Sequence, residues 1–194
     1  MLTTADPRPL LKAAVTTLFA FGLLAAPTAA SRGIHQCEGS LEIPQSEAQT
    51  AVAAGSIACL VNIERTSRGI PPLTRDADLA RAARGLASDM SEHQFFAHVD
   101  SAGKDLGDRL RDAGYGRPGD GWYAGEDLGW GTGDRATPNA LVDAWLNSSH
   151  HRRILLSSLY KQVGIGVAVG APTATAANLP GATYAMDLAT LRRG

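Results

Sequence analysis

The sequence has little of what several classes of protein depend on. Its 194 residues include only two cysteines, which excludes a disulfide-rich mini-scaffold and a four-cysteine zinc or iron–sulfur site. Its 18 lysines and arginines stand against 19 acidic residues, so the formal net charge is −1 and we expect no nucleic-acid partner. Past its N-terminus it has no apolar run of the about 20 residues that cross a bilayer, so no transmembrane segment is expected in the mature chain.

The first thirty residues have the order of a secretory signal peptide. Basic residues precede the apolar run 13–26, and small residues follow Pro27. This pattern predicts cleavage after Ala30, with 1–30 as the signal peptide and a secreted, extracellular product. A buried N-terminal helix is the alternative interpretation.

Export to an oxidising compartment would favour a disulfide between the two cysteines. Outside the cytosol, Cys37 and Cys59 are expected to form a disulfide, which would leave neither as a nucleophile. Cys59 falls in a predicted helix and Cys37 in an extended N-terminal arm, so the bond would attach the arm to that helix. Two free thiols are the alternative.

Helical patterns come first along the mature chain, and most strand patterns come late. Helices are predicted from Ser46 up to Gly69, from Asp76 to Met90, over 105–113, from Thr137, and over 149–155. Strands are predicted over 122–130, 163–169 and 183–188. Without a regular βαβ alternation, this order predicts an α+β fold in which helices pack on a small antiparallel sheet.

The strand over 163–169 carries a further signal. Its valines and isoleucine share one face, whereas Gly164, Gly166 and Ala168 share the other. Small residues along one face predict that another element packs closely over it.

Candidate chemistry rests on histidines and one glutamate. His98 follows an aromatic pair at the end of a predicted helix, and a structural histidine with satisfied hydrogen bonds is its alternative role. Glu126 lies among aromatic residues and glycines, which is not an ordinary solvated setting for a carboxylate. Adjacent His150 and His151 would point about 100° apart on a helix, so at most one can face a given pocket.

Taken in order, a set of segments resembles the CAP superfamily of cysteine-rich secretory, antigen 5 and pathogenesis-related proteins, in its bacterial secreted single-domain branch. The matching segments are Leu60–Arg65, Gly69–Leu73, Leu79–Ala83, Met90–His98, Asp108–Tyr115, Gly125–Leu128, Ala144–Arg152 and Tyr160–Val167. The resemblance assigns 31–55 to an arm with the start of the first helix, and 56–190 to the domain.

The resemblance implies an α-β-α sandwich with a large cleft lined by two histidines and two acidic residues. His98, Glu126 and His151 match three of those four groups. Ser148 stands where eukaryotic members carry the second glutamate, and Asp127 replaces the usual asparagine after Glu126.

A secreted, non-catalytic module that binds a divalent cation or a small extracellular ligand is the function expected from these residues. His98, His151 and Glu126 would suit Zn²⁺ or a similar ion, although no cofactor is required. A hydrolase that uses a metal-activated water or Glu126 as general base is the alternative. Lipid or sterol binding is a second alternative, and a monomer is expected.

Overall fold

The computed structural model describes residues 37–176 and 178–192. The predicted signal peptide and its cleavage after Ala30 lie outside these residues. The helices are α1 (Glu47–Ser67), α2 (Ala77–His93), α3 (Leu106–Asp112), α4 (Pro138–Asn147) and α5 (Ser149–Leu155). The strands are β1 (Thr74–Arg75), β2 (Gly121–Thr132), β3 (Gln162–Val169) and β4 (Gly181–Arg192), with short 3₁₀ turns at Gly133–Ala136 and Ala174–Ala176. None of the helices described is long and apolar enough to cross a bilayer.

The four strands form one sheet in the order β1-β3-β4-β2. The three long strands are antiparallel, as predicted, and the two-residue β1 adds a single parallel pairing with β3. Buried residues of α1, α4 and α5 form one core with the valines of β3, and α2 and α3 form two smaller clusters against the other face. The predicted α+β architecture, with helices on both faces of the sheet, is therefore confirmed.

The predicted disulfide is present between Cys37 and Cys59. It ties the first described residue to the middle of α1. The hydroxyl of Ser56, one turn earlier on α1, donates to the carbonyl of Glu38. The arm is therefore held to the helix by one covalent bond and one hydrogen bond close to it.

Side-chain caps explain where the first two helices begin. Ser46, where this helix is predicted to begin, accepts from the N–H of Gln49 through its Oγ at 3.4 Å, and the Gln49 side chain accepts from the N–H of Gln45 at 2.9 Å. Asp76 Oδ1 accepts from the N–H groups of Asp78 and Leu79 at 3.0 and 3.1 Å, so it caps α2.

Helix α2 lies directly on the glycine face of β3. Its predicted apolar stripe is buried throughout, at Leu79, Ala82, Ala83, Leu86, Ala87 and Met90. A Cβ atom added to Gly164 would lie 2.0 Å from the backbone nitrogen of Ala80, and one added to Gly166 would lie 2.2 Å from the Ala83 carbonyl. The close approach predicted from the small residues is confirmed.

A buried arginine joins the end of α1 to the end of α5. Arg65 donates to the carbonyls of Pro71, Leu155 and Ser157 at 3.0, 2.8 and 2.9 Å. These bonds fix where α5 ends, and α5 carries His151. Burial lowers the pKa of the Arg65 guanidinium.

We predict that Gly166→Ala destabilises the fold by about 3 kcal/mol, because the added methyl group forces the α2 backbone away from β3. Gly55→Ala in α1 is the matched control, since its Cβ meets no atom of the described residues within 4 Å. Alanine there should stabilise the helix by about 0.5–1 kcal/mol. Urea unfolding of both variants measures the contrast, and equal effects would contradict the close packing.

Candidate functional site

His98 lies in the loop that follows α2. The helix ends at Gln94, whose φ of 56° is the left-handed conformation that turns a chain out of a helix. The Gln94 side chain donates to the carbonyls of Ser91 and Ala171, which holds this turn in place. The His98 side chain is 61% exposed, so much of its imidazole is open to a ligand.

Glu126 lies in the middle of β2 with its side chain only 3% exposed. Its Oε1 is 2.6 Å from Nδ1 of His98, and its Oε2 accepts from Nη2 of Arg109. An ionised carboxylate can only accept hydrogen bonds, so the His98 Nδ1 is the donor. In the neutral form of His98, this assignment leaves Nε2 as the nitrogen that can accept a hydrogen bond or bind a metal ion.

Arg109 is not among the site residues predicted from the sequence, yet it holds both members of this pair. Its side chain is 5% exposed, and Nη1 donates to the backbone carbonyls of His98 and Lys104 at 2.9 and 3.0 Å. One guanidinium therefore fixes the Glu126 carboxylate and the loop that carries His98. A signal for it existed, because Arg109 falls among Leu106, Leu110 and Ala113 on the apolar stripe of α3.

A second buried carboxyl group lies beside Glu126. Asp187 of β4 is the direct cross-strand partner of Glu126, and it is fully buried. Neither of its oxygens receives a bond from an N–H or O–H group of the described residues, so it can bond to Glu126 only through a proton of its own. Burial first, and then the charge of Glu126, raises the pKa of Asp187 well above its usual range, which favours the neutral acid.

Asp127, the possible extra carboxylate in the sequence, is not part of this group. Neighbouring residues on a strand point to opposite faces, so Asp127 points into the core below α1, α4 and α5. It is fully buried, and its oxygens have no hydrogen-bond partner among the described residues. Burial, followed by the charge of Glu126, raises the pKa of Asp127 to about 8.

His151 lies on α5, whose N-cap residue is Ser148. The indole N–H of Trp145 in α4 donates to the Leu128 carbonyl of β2 at 2.9 Å, which anchors the α4–α5 pair against the strand of Glu126. His151 is partly buried and His150 is exposed. Burial lowers the pKa of His151, and the charges of His150 and His98 lower it further.

The His98 and His151 imidazoles therefore lie within electrostatic reach of one another, on different elements. Ser148 is partly buried, and its side chain makes no capping bond to α5. Across residues 37–176 and 178–192, no group of three or more His, Cys, Asp or Glu side chains is arranged to hold a metal ion. Both oxygens of Glu126 are already engaged, which leaves the two imidazoles as the available donors.

We predict that Asp127→Asn stabilises the protein by an amount that grows as the pH rises. The carboxyl has a pKa of about 8 when folded, against about 3.9 when unfolded, so folding takes up a proton between these values. Wild-type stability therefore falls across that window, by up to about 1.4 kcal/mol per pH unit, and asparagine removes this contribution.

Urea unfolding at about pH 5 and about pH 8 tests this prediction. Asp134→Asn, at an exposed position, is the control and should show a small difference from wild type at both pH values. A stability gain for Asp127→Asn that is the same at both pH values would show that the buried carboxyl does not titrate as expected.

Comparison with known proteins adds to this geometry. The family model described as "CAP: Cysteine-rich secretory protein family" matches residues 59–178, which is more than half of the chain. A solved structure, an extracellular protein containing a SCP domain from Bacillus anthracis str. Ames, aligns with a TM-score of 0.57 at 25% identity. The alignment covers 75% of this chain and 44% of that one.

Two proteins of Bacillus subtilis (strain 168) are similar in sequence. The "Uncharacterized membrane protein YlbC" is 36% identical over 108 residues, and the "Uncharacterized protein YkwD" is 31% identical over 107 residues. These matches cover 56% and 55% of this chain, but only 29% and 39% of those proteins. The chain therefore spans less than two fifths of the length of either relative.

Proposed function

Because the chain belongs to the cysteine-rich secretory protein (CAP) family, we propose that it is a secreted, non-catalytic binding module. In this proposal, His98 and His151 line a cleft and hold a divalent cation or a small ligand. The Cys37–Cys59 disulfide supports export, since such bonds persist in oxidising compartments. The similar protein from Bacillus anthracis is described as extracellular.

The orientation of His98 is the observation that carries the proposal. Glu126 holds Nδ1 at 2.6 Å while most of the imidazole is exposed, so Nε2 faces outward as a fixed acceptor. In metal sites, a carboxylate behind a histidine fixes the tautomer and raises the basicity of the ligating nitrogen in this manner. Glu126 therefore acts behind the ligand nitrogen and is not itself a ligand, unlike its role in the sequence-based hypothesis.

The donor set fits a borderline-soft cation such as Zn²⁺. Two imidazoles would occupy two positions, and the remaining positions would be open to water or to a ligand. A bound cation would supply a positive centre that attracts an anionic or carbonyl oxygen. The lowered pKa of His151 keeps that imidazole neutral, and so able to coordinate, at neutral pH.

We predict that His98→Ala and His151→Ala each weaken Zn²⁺ binding by about 100-fold or more, since each removes one of two protein donors. Binding should also weaken as the pH falls below the ordinary histidine value of about 6.5, because burial lowers the pKa of His151 and its imidazole must be neutral to coordinate. Isothermal titration calorimetry with ZnCl₂ measures both effects.

His150→Ala is the matched control, because its imidazole is exposed on the same helix turn. It should leave the affinity close to the wild-type value, and an equal loss in His150→Ala and His151→Ala would refute the assignment. Glu126→Gln tests the orienting role, with an expected loss of about 10- to 100-fold.

A hydrolase is the second candidate, and the His98–Glu126 pair is the observation that favours it. A histidine held by a carboxylate can act as a general base towards a nucleophile or a water molecule. Against this, the sequence carries no recognised nucleophile motif. Lipid or sterol binding, the remaining alternative, would need an apolar groove, and near His98 in the chain only Phe96 and Val99 are exposed large apolar side chains among the described residues.

We predict that casein and p-nitrophenyl esters are not turned over faster by wild type than by His98→Ala. His93→Ala serves as the matched control for background ester cleavage, because His93 is an exposed histidine paired with Asp89. Turnover that is present in wild type and His93→Ala, and lost in His98→Ala, would establish the hydrolase and overturn the binding role.

A further inference from the structure

A surface cavity of about 410 Å³ lies between α2, the loop after His98, and α3. Its volume is in the range of about 300–1,000 Å³ that is usual for small-molecule sites. His98, Glu126 and His151 are not among its lining residues. Arg109 is one of them, so this arginine forms a wall between the cavity and the His98–Glu126 pair.

Gly85 opens this cavity on the α2 side. It lies in the middle of a regular helix, where glycine is the least favourable residue after proline. Its φ is not positive, and an added Cβ would meet no atom of the described residues within 4 Å. Neither the backbone conformation nor the packing requires glycine here. The absence of a side chain at Gly85 leaves open space in the cavity.

Two of the acidic residues that line the cavity serve the loop itself. Asp89 accepts from the N–H and the hydroxyl of Ser101 at 2.7 and 2.6 Å. Asp100 accepts from the N–H groups of Ala102 and Lys104 at 3.0 and 2.8 Å. These bonds fix the shape of the cavity wall. Because both carboxylates are already hydrogen-bonded, other side chains must bind the ligand.

The groups free to exchange partners lie at the α3 end of the cavity. Lys104 Nζ is 2.6 Å from Asp112 Oδ2, and both side chains are about half exposed. Arg81 donates to the Ala113 carbonyl, next to Asp112, and pairs with Asp78 Oδ1 at 2.9 Å, with its side chain 57% exposed. Exposed ion pairs of this kind contribute little to stability, so a ligand can replace them at low cost.

Among the residues that line this end of the cavity, the cations Arg81 and Lys104 lie near the carboxylate of Asp112, and the Asp78 partner of Arg81 lies outside the lining. A ligand that carries both a carboxylate and an ammonium group would match them, with its carboxylate on Arg81 and Lys104 and its ammonium on Asp112. A ligand with a single charge would leave either Asp112 or the pair of cations without a partner. No aromatic side chain lines the cavity within the described residues, so there is no surface on which a sugar ring could stack.

We propose that this cavity is a second binding site, separate from the histidines, for a small zwitterion such as an amino acid or a dipeptide. The carboxylate of the ligand binds Arg81 and Lys104, and its ammonium group binds Asp112. The proposal does not depend on a cation at His98 and His151.

The dipeptide alanyl-alanine is the probe, added to the ¹⁵N-labelled full chain and followed by amide NMR shifts. We expect saturable shifts at Gly85, Ser101, Ala102 and Lys104 at millimolar concentrations of the probe. Absence of saturable shifts at these amides would overturn the proposal. Alanyl-alanine with an acetylated amine and an amidated carboxyl should bind about tenfold more weakly, and equal binding would refute recognition of the zwitterion.

Gly85→Leu should fill the cavity and reduce affinity for the dipeptide about tenfold or more. Gly55→Leu is the matched control, because Gly55 is also helical with nothing near its Cβ, yet it does not line the cavity. Arg81→Gln, at an exposed position, supplies a second test that does not depend on filling the space. Wild-type affinity in both Gly85→Leu and Arg81→Gln would refute the site.

His98→Ala separates this site from the histidine pair. It should retain wild-type affinity for the dipeptide, because His98 does not line the cavity. Loss of dipeptide binding in His98→Ala, with retention in Gly85→Leu, would place the ligand at the histidines and overturn the second site.

Discussion

The contact between the α2 backbone and β3 determines much of the remaining structure. Two glycines on β3 let the helix lie so close that no side chain fits between them. This contact fixes the level of α2 above the sheet, and therefore the point at which the chain leaves the helix at Gln94. From there, the loop brings His98 to the Glu126 carboxylate of β2.

Charge balance below His98 follows from the same arrangement. The sheet places Glu126 and Asp187 side by side in a buried region, where two neighbouring negative charges would repel strongly. One guanidinium, from Arg109, faces them. The pair is therefore stable with a single negative charge, and that charge is shared between the arginine and the imidazole. His98 is therefore held by the Glu126 carboxylate of β2, whose surroundings come from β4 through Asp187 and from α3 through Arg109.

The sequence predicted the elements well where one face of each is apolar. The α2 stripe and the alternation of β3 both report burial directly, and each bound agreed with the structure to within a few residues. The Cys37–Cys59 pairing followed from the number of cysteines together with predicted export. Local pattern could not reveal pairing across the sheet, so the contact of Glu126 with Asp187 was missed.

The role of Glu126 was also beyond the sequence, because a carboxylate can serve as a metal ligand or can orient a histidine. The choice depends on whether another cation occupies its second oxygen. Arg109 does so here, from a helix 17 residues earlier in the chain. A charged residue on the apolar stripe of a helix predicts such a contact, because a buried charge needs a partner.

The disulfide near the start of the described chain has a mechanical consequence. Any tension on the chain ahead of Cys37 passes through the sulfur atoms into Cys59, in the middle of α1. The force therefore bypasses residues 38–58, and tension on the chain ahead of Cys37 does not unwind the first turns of α1. Tension applied there acts on a helix that is buried against the sheet along one side.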